Sequence, residues 1–281
     1  MKKLIMFLFA CAFVSPAAFA QTNTANVDQK GTDHFSGVAQ IGANQTADIT
    51  QRKSSNVALV GQYTDNDGPQ SAEVIQKGDN NRAIVLQSQT GGGSNAPANT
   101  AYIEQLGSQN RSFQKELAGS YNSSQHVWGL QKGTQNRLVQ IVEGGYNVSL
   151  RADQRGDMNE SKQIADGAYI NGEVIQRKTQ NEATQKLYDL NVDALITQDG
   201  YMNRATQTFS GGIFSHTTDA LIDQKGSHNR AWQYGNGYDL NASLYQSGDC
   251  NWSVQAQLGT DHSSTVSQSG HSNGSIVFQY N

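Results

Sequence analysis

The chain has few of the residues that crosslink a fold, interrupt regular structure or build a large apolar core. Its 281 residues include two cysteines and three prolines, and only 16% are charged and 36% hydrophobic. Beyond the first twenty residues Cys250 stands alone, which excludes an intramolecular disulfide framework there. Cys250 occupies a variable position of a repeat, which indicates a tolerated exposed thiol, with an intermolecular bridge as the alternative.

Long apolar runs are also lacking outside the N-terminal segment. Lys2 and Lys3 precede an apolar stretch at residues 4–14, and residues 18–20 read Ala-Phe-Ala. The stretch is too short to span a membrane, and the pattern is typical of a secretory signal peptide. We therefore predict a signal peptide at residues 1–20 and an exported chain at 21–281. Without the two lysines, 18 basic and 24 acidic residues leave a formal charge of −6.

Amide side chains are abundant, with 31 Gln and 24 Asn. Such polar composition is typical of disorder, but here the amides recur at a fixed interval. One Gln returns eleven times, mostly every 22 or 23 residues. These copies are Gln29, Gln51, Gln76, Gln105, Gln131, Gln154, Gln176, Gln198, Gln224, Gln246 and Gln268. The repeat is therefore the dominant feature of the chain.

Other positions of the repeat are nearly as regular as the Gln. Two residues after it stands Gly in nine copies, namely Gly31, Gly78, Gly107, Gly133, Gly156, Gly200, Gly226, Gly248 and Gly270. Lys53 and Lys178 take that place in the other two copies. Five residues after the Gln stands Asn in ten copies, namely Asn56, Asn81, Asn110, Asn136, Asn159, Asn181, Asn203, Asn229, Asn251 and Asn273, and His34 replaces it in the first.

The spacing predicts an all-β chain folded as a β-solenoid of about eleven stacked strand-turn-strand rungs, with two sheets in a cross-β-like arrangement. Apolar and amide positions alternate with period two on both sides of the Gly, which is typical of strands. The Gly supplies a backbone conformation that suits a tight turn. A single 22-residue unit cannot bury its inward face alone, whereas stacked units bury it continuously.

The recurring amides predict a mechanism that sets the register of the stack. A buried amide without a partner costs on the order of 1–3 kcal/mol. In a register-matched stack each amide can donate to the copy in one neighbouring rung and accept from the copy in the other. Apolar residues tolerate slippage, whereas an amide in the wrong rung is left without a partner. We therefore predict that these Gln and Asn residues form ladders and direct assembly.

Basic residues next to the turn are expected to point outward. They follow the repeat Gln at Lys30, Arg52, Lys77, Lys132, Arg155, Arg177 and Lys225, and they follow the repeat Asn at Arg82, Arg111, Arg137, Arg204 and Arg230. One interpretation is that they act as gatekeepers against premature or lateral association. The other is a basic stripe for nucleic acid or anionic polysaccharide. The net negative charge favours gatekeepers, and no nucleic-acid partner is predicted.

Length changes are confined to the second turn of the unit, with insertions near 64–71, 88–100, 117–125 and 210–217. A binding function for this decorated edge is an alternative to simple loop tolerance. The histidines lack close metal-ligand spacing, and the acidic residues are scattered. We therefore predict no cofactor, no metal and no enzymatic activity. A glycan- or ice-binding solenoid remains an alternative function.

The pattern Gln-x-Gly-x-x-Asn-x-Ala, repeated over nearly all of residues 21–281, resembles the curlin repeat. The closing "FQY" also resembles a curlin ending. The resemblance implies a subunit of an extracellular, curli-like amyloid fibre in a biofilm, polymerising with copies of itself. Implied partners are a nucleator subunit, an outer-membrane secretion channel and periplasmic accessory proteins. The chain departs from the familiar five-repeat members in having about twice as many repeats and a short segment before the first strand.

The C-terminal segment bears on how such a chain could assemble. Residues 263–281 contain no Asp, Glu, Lys or Arg. A regular, uncharged terminal rung lacks the polar cap that ends soluble solenoids. We expect it to be a docking face for the next molecule. Since nucleators of this family tend to have an irregular, charged last repeat, the regular end favours the major subunit, with the nucleator as the alternative.

Overall fold

The computed structural model describes residues 22–65, 68–90, 98–119, 124–145, 147–188, 191–210 and 217–281. These residues form 22 β-strands in two sheets and contain no helix. A helix that could cross a membrane is accordingly not found among them. The predicted signal peptide and parts of the four predicted insertions lie outside the described residues.

The odd-numbered strands form the first sheet and the even-numbered strands form the second. The first sheet consists of β1 (Thr24–Thr32), β3 (Gln45–Ser54), β5 (Gln70–Asp79), β7 (Asn99–Ser108), β9 (Gln125–Thr134), β11 (Val148–Arg155), β13 (Ile170–Thr179), β15 (Val192–Tyr201), β17 (Thr218–Ser227), β19 (Leu240–Asp249) and β21 (Ser263–His271). The second consists of β2 (Phe35–Ile41), β4 (Val57–Thr64), β6 (Arg82–Thr90), β8 (Arg111–Gly119), β10 (Arg137–Glu143), β12 (Glu160–Ala165), β14 (Glu182–Tyr188), β16 (Arg204–Ser210), β18 (Arg230–Tyr238), β20 (Trp252–Thr260) and β22 (Gly274–Tyr280).

Each rung is one odd-numbered strand, a tight first arc, one even-numbered strand and a second arc that leads to the next rung. Neighbouring strands of each sheet are parallel, and each pair is connected through one strand of the other sheet. The register places each repeat Gln opposite its copy, as in Gln29–Gln51 and Gln176–Gln198. The predicted all-β solenoid of about eleven rungs is therefore confirmed.

The core lies between the two sheets and follows the alternation seen in the sequence. In β5 the residues alternate strictly between buried and outward positions, with Ala72, Val74 and Gln76 fully buried. Burying a Val, Leu or Ile side chain contributes about 1.5–3 kcal/mol, and such residues recur in nearly every rung. The polar chain thus buries a narrow, continuous core that no rung could build alone.

Candidate functional site

A continuous ladder of amides runs the length of the first sheet. From Gln29 to Gln268, each repeat Gln donates from Nε2 to Oε1 of the next copy, with N···O distances between 2.6 and 2.9 Å. The other N–H of the amide donates across the core, as from Gln76 to the carbonyl of Val57 at 3.0 Å. Every axial bond runs from a donor to an acceptor one rung closer to the C-terminus, so this first ladder has a direction.

The second sheet carries a second ladder, which changes position along the stack. In the first three rungs it consists of the residues eleven after the repeat Gln, with Gln40 donating to Gln62 at 2.9 Å and Gln62 to Gln87 at 2.8 Å. From the fourth rung it moves to the residues nine after the repeat Gln, as the continuous series Gln114, Gln140, Gln163, Gln185, Gln207, Gln233 and Gln255. At the C-terminal end it returns to the first position, where Gln257 donates to Gln279 at 2.9 Å.

Apolar side chains take the position that the second ladder leaves. In the first rungs Val60 and Val85 fill the position nine after the repeat Gln, and in the middle rungs Val142, Leu187 and Phe209 fill the position eleven after it; all five are buried. Most rungs thus have one apolar residue and one amide at these two positions, and the two exchange places between the first rungs and the middle rungs. The eleven-residue spacing at both ends of the sequence signals the exchange, but only the stacked rungs show that it is one.

Glu116 occupies the point where the second ladder changes position. It is fully buried, and its Oε2 accepts from Gln87 Nε2 at 3.2 Å, while Oε1 has no hydrogen-bond partner among the described residues. Removal from water raises the pKa of this carboxyl to about 8, although the bond from Gln87 acts in the opposite direction. A carboxylic acid therefore stands where the repeat pattern calls for Gln.

The repeat Asn residues do more than pair with one another. From Asn56 to Asn251, each Nδ2 donates to the carbonyl of the turn residue in the next rung, at 2.7–3.0 Å. Each Oδ1 accepts the backbone N–H of the next repeat Asn at 3.0–3.1 Å. Direct amide-to-amide bonds occur in only some pairs, such as Asn81 to Asn56 at 3.1 Å. The Asn row therefore fastens the first arc of one rung to the next.

In the first rung His34 replaces the repeat Asn and forms comparable contacts. Its Nδ1 lies 3.4 Å from the backbone N of Asn56, and its Nε2 lies 3.3 Å from the carbonyl of Lys30. A repeat Asn makes the equivalent bond to the carbonyl four residues earlier, as Asn273 does to Ser269 at 2.9 Å. The imidazole thus reproduces the acceptor and donor of the amide it replaces.

The predicted turn glycines all adopt positive φ, between 103° and 156°. A Cβ at Gly78 would lie 1.7 Å from the carbonyl oxygen of Gly107 in the next rung, so the close stacking of the arcs depends on its absence. Lys53 and Lys178 fill the same position with φ of 77° and 70°. In these two rungs the lysine adopts a left-handed helical backbone conformation, which costs a residue with a Cβ about 1–2 kcal/mol.

Replacing Lys53 by Gly is therefore expected to raise the free energy of unfolding by about 1 kcal/mol. The gain comes from relieving the left-handed backbone, and no ion pair is lost, since Lys53 forms none among the described residues. Urea unfolding of both chains measures the difference. The matched control is Lys77→Gly, where the strand backbone has no positive φ to relieve and Gly should lower stability. Equal changes in the two variants would contradict the prediction.

The predicted gatekeepers lie outward, as the repeat pattern requires. Lys30, Lys77, Lys132, Arg155, Arg177 and Lys225 are exposed, and Arg52 is half-buried. Some form ion pairs, as Arg52 does with Asp28, Arg155 with Asp153 at 3.0 Å and Lys225 with Asp223 at 3.1 Å. Their role in restraining association stays a prediction.

Cys250 is exposed and unpaired. Among the residues that the structure describes, no three His, Cys, Asp or Glu side chains come together as metal ligands. On the outer face of the first sheet, Tyr102 stacks on Trp128 with ring centroids 6.0 Å apart, and the guanidinium of Arg151 lies 4.8 Å from the Trp128 ring. These contacts join three consecutive rungs.

The two ends of the stack are open edges with unfinished ladders. β1 is exposed along its whole length, and in β22 Ile276, Phe278 and Tyr280 are more than 60% exposed. Among the described rungs, none donates an axial bond to Oε1 of Gln29 or Gln40 at the N-terminal end. At the C-terminal end, no described rung accepts one from Nε2 of Gln268 or Gln279. The ends therefore carry opposite hydrogen-bonding groups.

Segments near both ends of the chain match a known family model. The family model described as curlin associated repeat matches residues 22–52 and 237–270, which include the first two and the last two repeat Gln residues. These two segments are similar to the curlin repeat. Curlin-repeat proteins are structural amyloid subunits, so the family is one of structural rather than enzymatic proteins. The matched curlin repeats lie near both ends of the solenoid, and the register shows that the rungs between them keep the same ladder. Searches of curated proteins and of solved structures found no significant match.

Proposed function

We propose that this protein is the structural subunit of an extracellular amyloid fibre that supports a biofilm matrix and surface adhesion, and that it polymerises by stacking rungs end to end. The observation that carries the proposal is the polarity of the unfinished ladders. Gln268 presents an axial donor at one end, and Gln29 presents an axial acceptor at the other. A second copy of the chain satisfies both groups, which water would otherwise have to solvate.

The polarity favours head-to-tail stacking. Two C-terminal ends would bring donor against donor, and two N-terminal ends would bring acceptor against acceptor. In a head-to-tail junction Gln268 donates to Gln29 and Gln279 donates to Gln40 of the next copy. On the other side of the arc, Asn273 Oδ1 faces the backbone N–H of His34, repeating the bond that Asn251 Oδ1 forms with Asn273 at 3.0 Å.

The second ladder supports the same junction. The last rung has Val277 and Gln279 at the two positions where the first rung has Val38 and Gln40, whereas the middle rungs have the amide and the apolar residue exchanged. Apolar therefore meets apolar and amide meets amide when the last rung docks on the first. If the last rung docked on a rung with the middle arrangement, Gln279 would face an apolar residue and the amide of that rung would face Val277. Neither amide would then have an axial partner.

The last rung supports a major subunit rather than a nucleator, since residues 263–281 contain no Asp, Glu, Lys or Arg to oppose docking. Export by a signal peptide, a nucleator partner, an outer-membrane channel and periplasmic accessory proteins belong to the same proposal, on the strength of the family resemblance. No nucleic-acid partner is included.

Fibre diffraction tests the proposed function. The chain without its predicted signal peptide, left at micromolar concentration in dilute buffer, is expected to form filaments with a meridional reflection near ~4.7 Å. That spacing arises because the strands of every rung lie across the stack. A folded monomer that stays soluble over days would overturn the proposal and favour a binding function.

A further inference from the structure

Three arginines on consecutive rungs form a row on the outer face of the second sheet. Arg82, Arg111 and Arg137 begin β6, β8 and β10, and the sheet register places each directly beside the next. All three are exposed. Parallel strands lie about 4.8 Å apart, so the row presents one guanidinium per rung at that interval.

Two of the three arginines in the row lack an acidic partner. Arg204 at the same repeat position pairs with Glu182 at 2.7 Å, and Arg137 pairs with Glu160 at 2.6 Å on its far side. Arg82 and Arg111 form no ion pair among the described residues. Like charges directly beside each other destabilise a sheet. An anion that bridges the row would remove this repulsion.

The row borders an apolar strip. Ile84, Phe113 and Val139 lie beside one another on the same three strands, two residues after the arginines. Together with the arginines they line a groove of about 410 Å³, which we call the arginine groove. On the other side of the row, a hollow of about 650 Å³ is lined by the arc amides of Asn80, Gln109 and Gln135. Guanidinium groups therefore stand between an apolar surface and a set of amide donors and acceptors.

We propose that the arginine groove binds an acidic polysaccharide of the polyuronate class. Guanidinium groups bind carboxylates with two parallel hydrogen bonds. The apolar strip suits the C–H face of a sugar ring, and Phe113 provides the aromatic surface on which it lies. The arc amides suit hydroxyl groups. An extended sugar chain running along the stack meets one arginine about every 4.8 Å, a spacing close to the length of one sugar residue.

Charge favours a polyuronate over a nucleic acid. The chain carries a formal charge of −4, and the row is a single line of three cations. A nucleic acid relies on neutralising many closely spaced phosphates, and the acidic remainder of the molecule repels it. A polyuronate offers one carboxylate per sugar, which is the density that the row can neutralise.

Binding of polygalacturonate to the immobilised chain, measured at low salt, tests the proposal. The variant Arg82→Gln/Arg111→Gln is expected to weaken binding at least about tenfold, since it removes the two unpaired guanidinium groups. The matched control is Arg155→Gln/Arg204→Gln, which makes the same change in net charge but removes arginines that already have carboxylate partners. It should stay within about twofold of the parent chain.

Three outcomes would overturn the proposal. Equal losses in the two double variants would mean that only net charge matters. Equal binding of neutral dextran would mean that the carboxylates are not recognised. Tighter binding of single-stranded DNA, lost in the Arg82→Gln/Arg111→Gln variant, would make the groove a phosphate site. Circular dichroism of each variant establishes that the solenoid is intact, and filament formation is scored separately, so the result is independent of the fibre proposal.

Discussion

Replacing Glu116 by Gln is expected to stabilise the folded chain by on the order of 3 kcal/mol at pH 7 and to remove most of its pH dependence of stability between pH 5 and 8. The carboxyl is fully buried and its folded-state pKa is raised from 4.5 to about 8 because burial removes it from water. Gln at this position accepts from Gln87 as Glu116 does, without the cost of a buried ionisable group.

The direction of this pH dependence of stability follows from proton binding by the folded and the unfolded chain. Below about pH 4.5 the carboxyl is protonated in the folded and the unfolded chain, so it does not alter stability with pH. Between about 4.5 and 8 the folded chain holds a proton that the unfolded chain has released, so stability falls by about 1.4 kcal/mol per pH unit. Above about pH 8 both states are ionised and the loss levels off.

Urea unfolding at pH 5, 7 and 9 measures the effect. The parent chain should lose stability across this range, whereas Glu116→Gln should lose much less. Glu73→Gln, which changes an exposed carboxylate on β5 of the preceding rung, is the control and should follow the parent chain. Parallel pH profiles for the parent and Glu116→Gln would show that the buried carboxyl does not hold its proton as described.

The second large effect is expected at the docking rung. Gln268→Ala/Asn273→Ala should slow filament elongation at least about tenfold while leaving most of the monomer folded, because this rung must present its amides to the next copy. The equivalent interior change, Gln176→Ala/Asn181→Ala, should slow elongation only modestly. It should instead lower the free energy of unfolding by several kcal/mol, since it leaves buried partners unsatisfied in both neighbouring rungs.

Seeded growth separates the two cases. Preformed filaments of the parent chain are added to equal concentrations of folded variant, and the elongation rate is followed by light scattering. Equal elongation rates for the end and interior variants would contradict the proposed role of the last rung. Urea unfolding of each monomer provides the concentration of folded chain to which the rates are normalised.

The repeat by itself determined the architecture. A Gln, a Gly two residues later and an Asn five residues later, returning in eleven copies, leave few ways to bury alternating residues except by stacking. The ladder from Gln29 to Gln268 follows from the same pattern, because each amide has its own copy as the nearest neighbour. The outward position of the basic residues follows equally from the period of two.

Only the tertiary structure decided what lies between those regular positions. The exchange of the second ladder depends on which side chain meets which across ten arcs of unequal length, and Glu116 becomes a buried acid only because the exchange occurs in its rung. The Asn residues bond to backbone groups of the next arc, which no spacing reveals. The unpaired row of Arg82 and Arg111 likewise depends on register, since a charge has a partner only if the neighbouring rung places one beside it. Local pattern specifies each rung, whereas contacts between rungs are long-range, and their chemistry emerges only when the rungs are stacked.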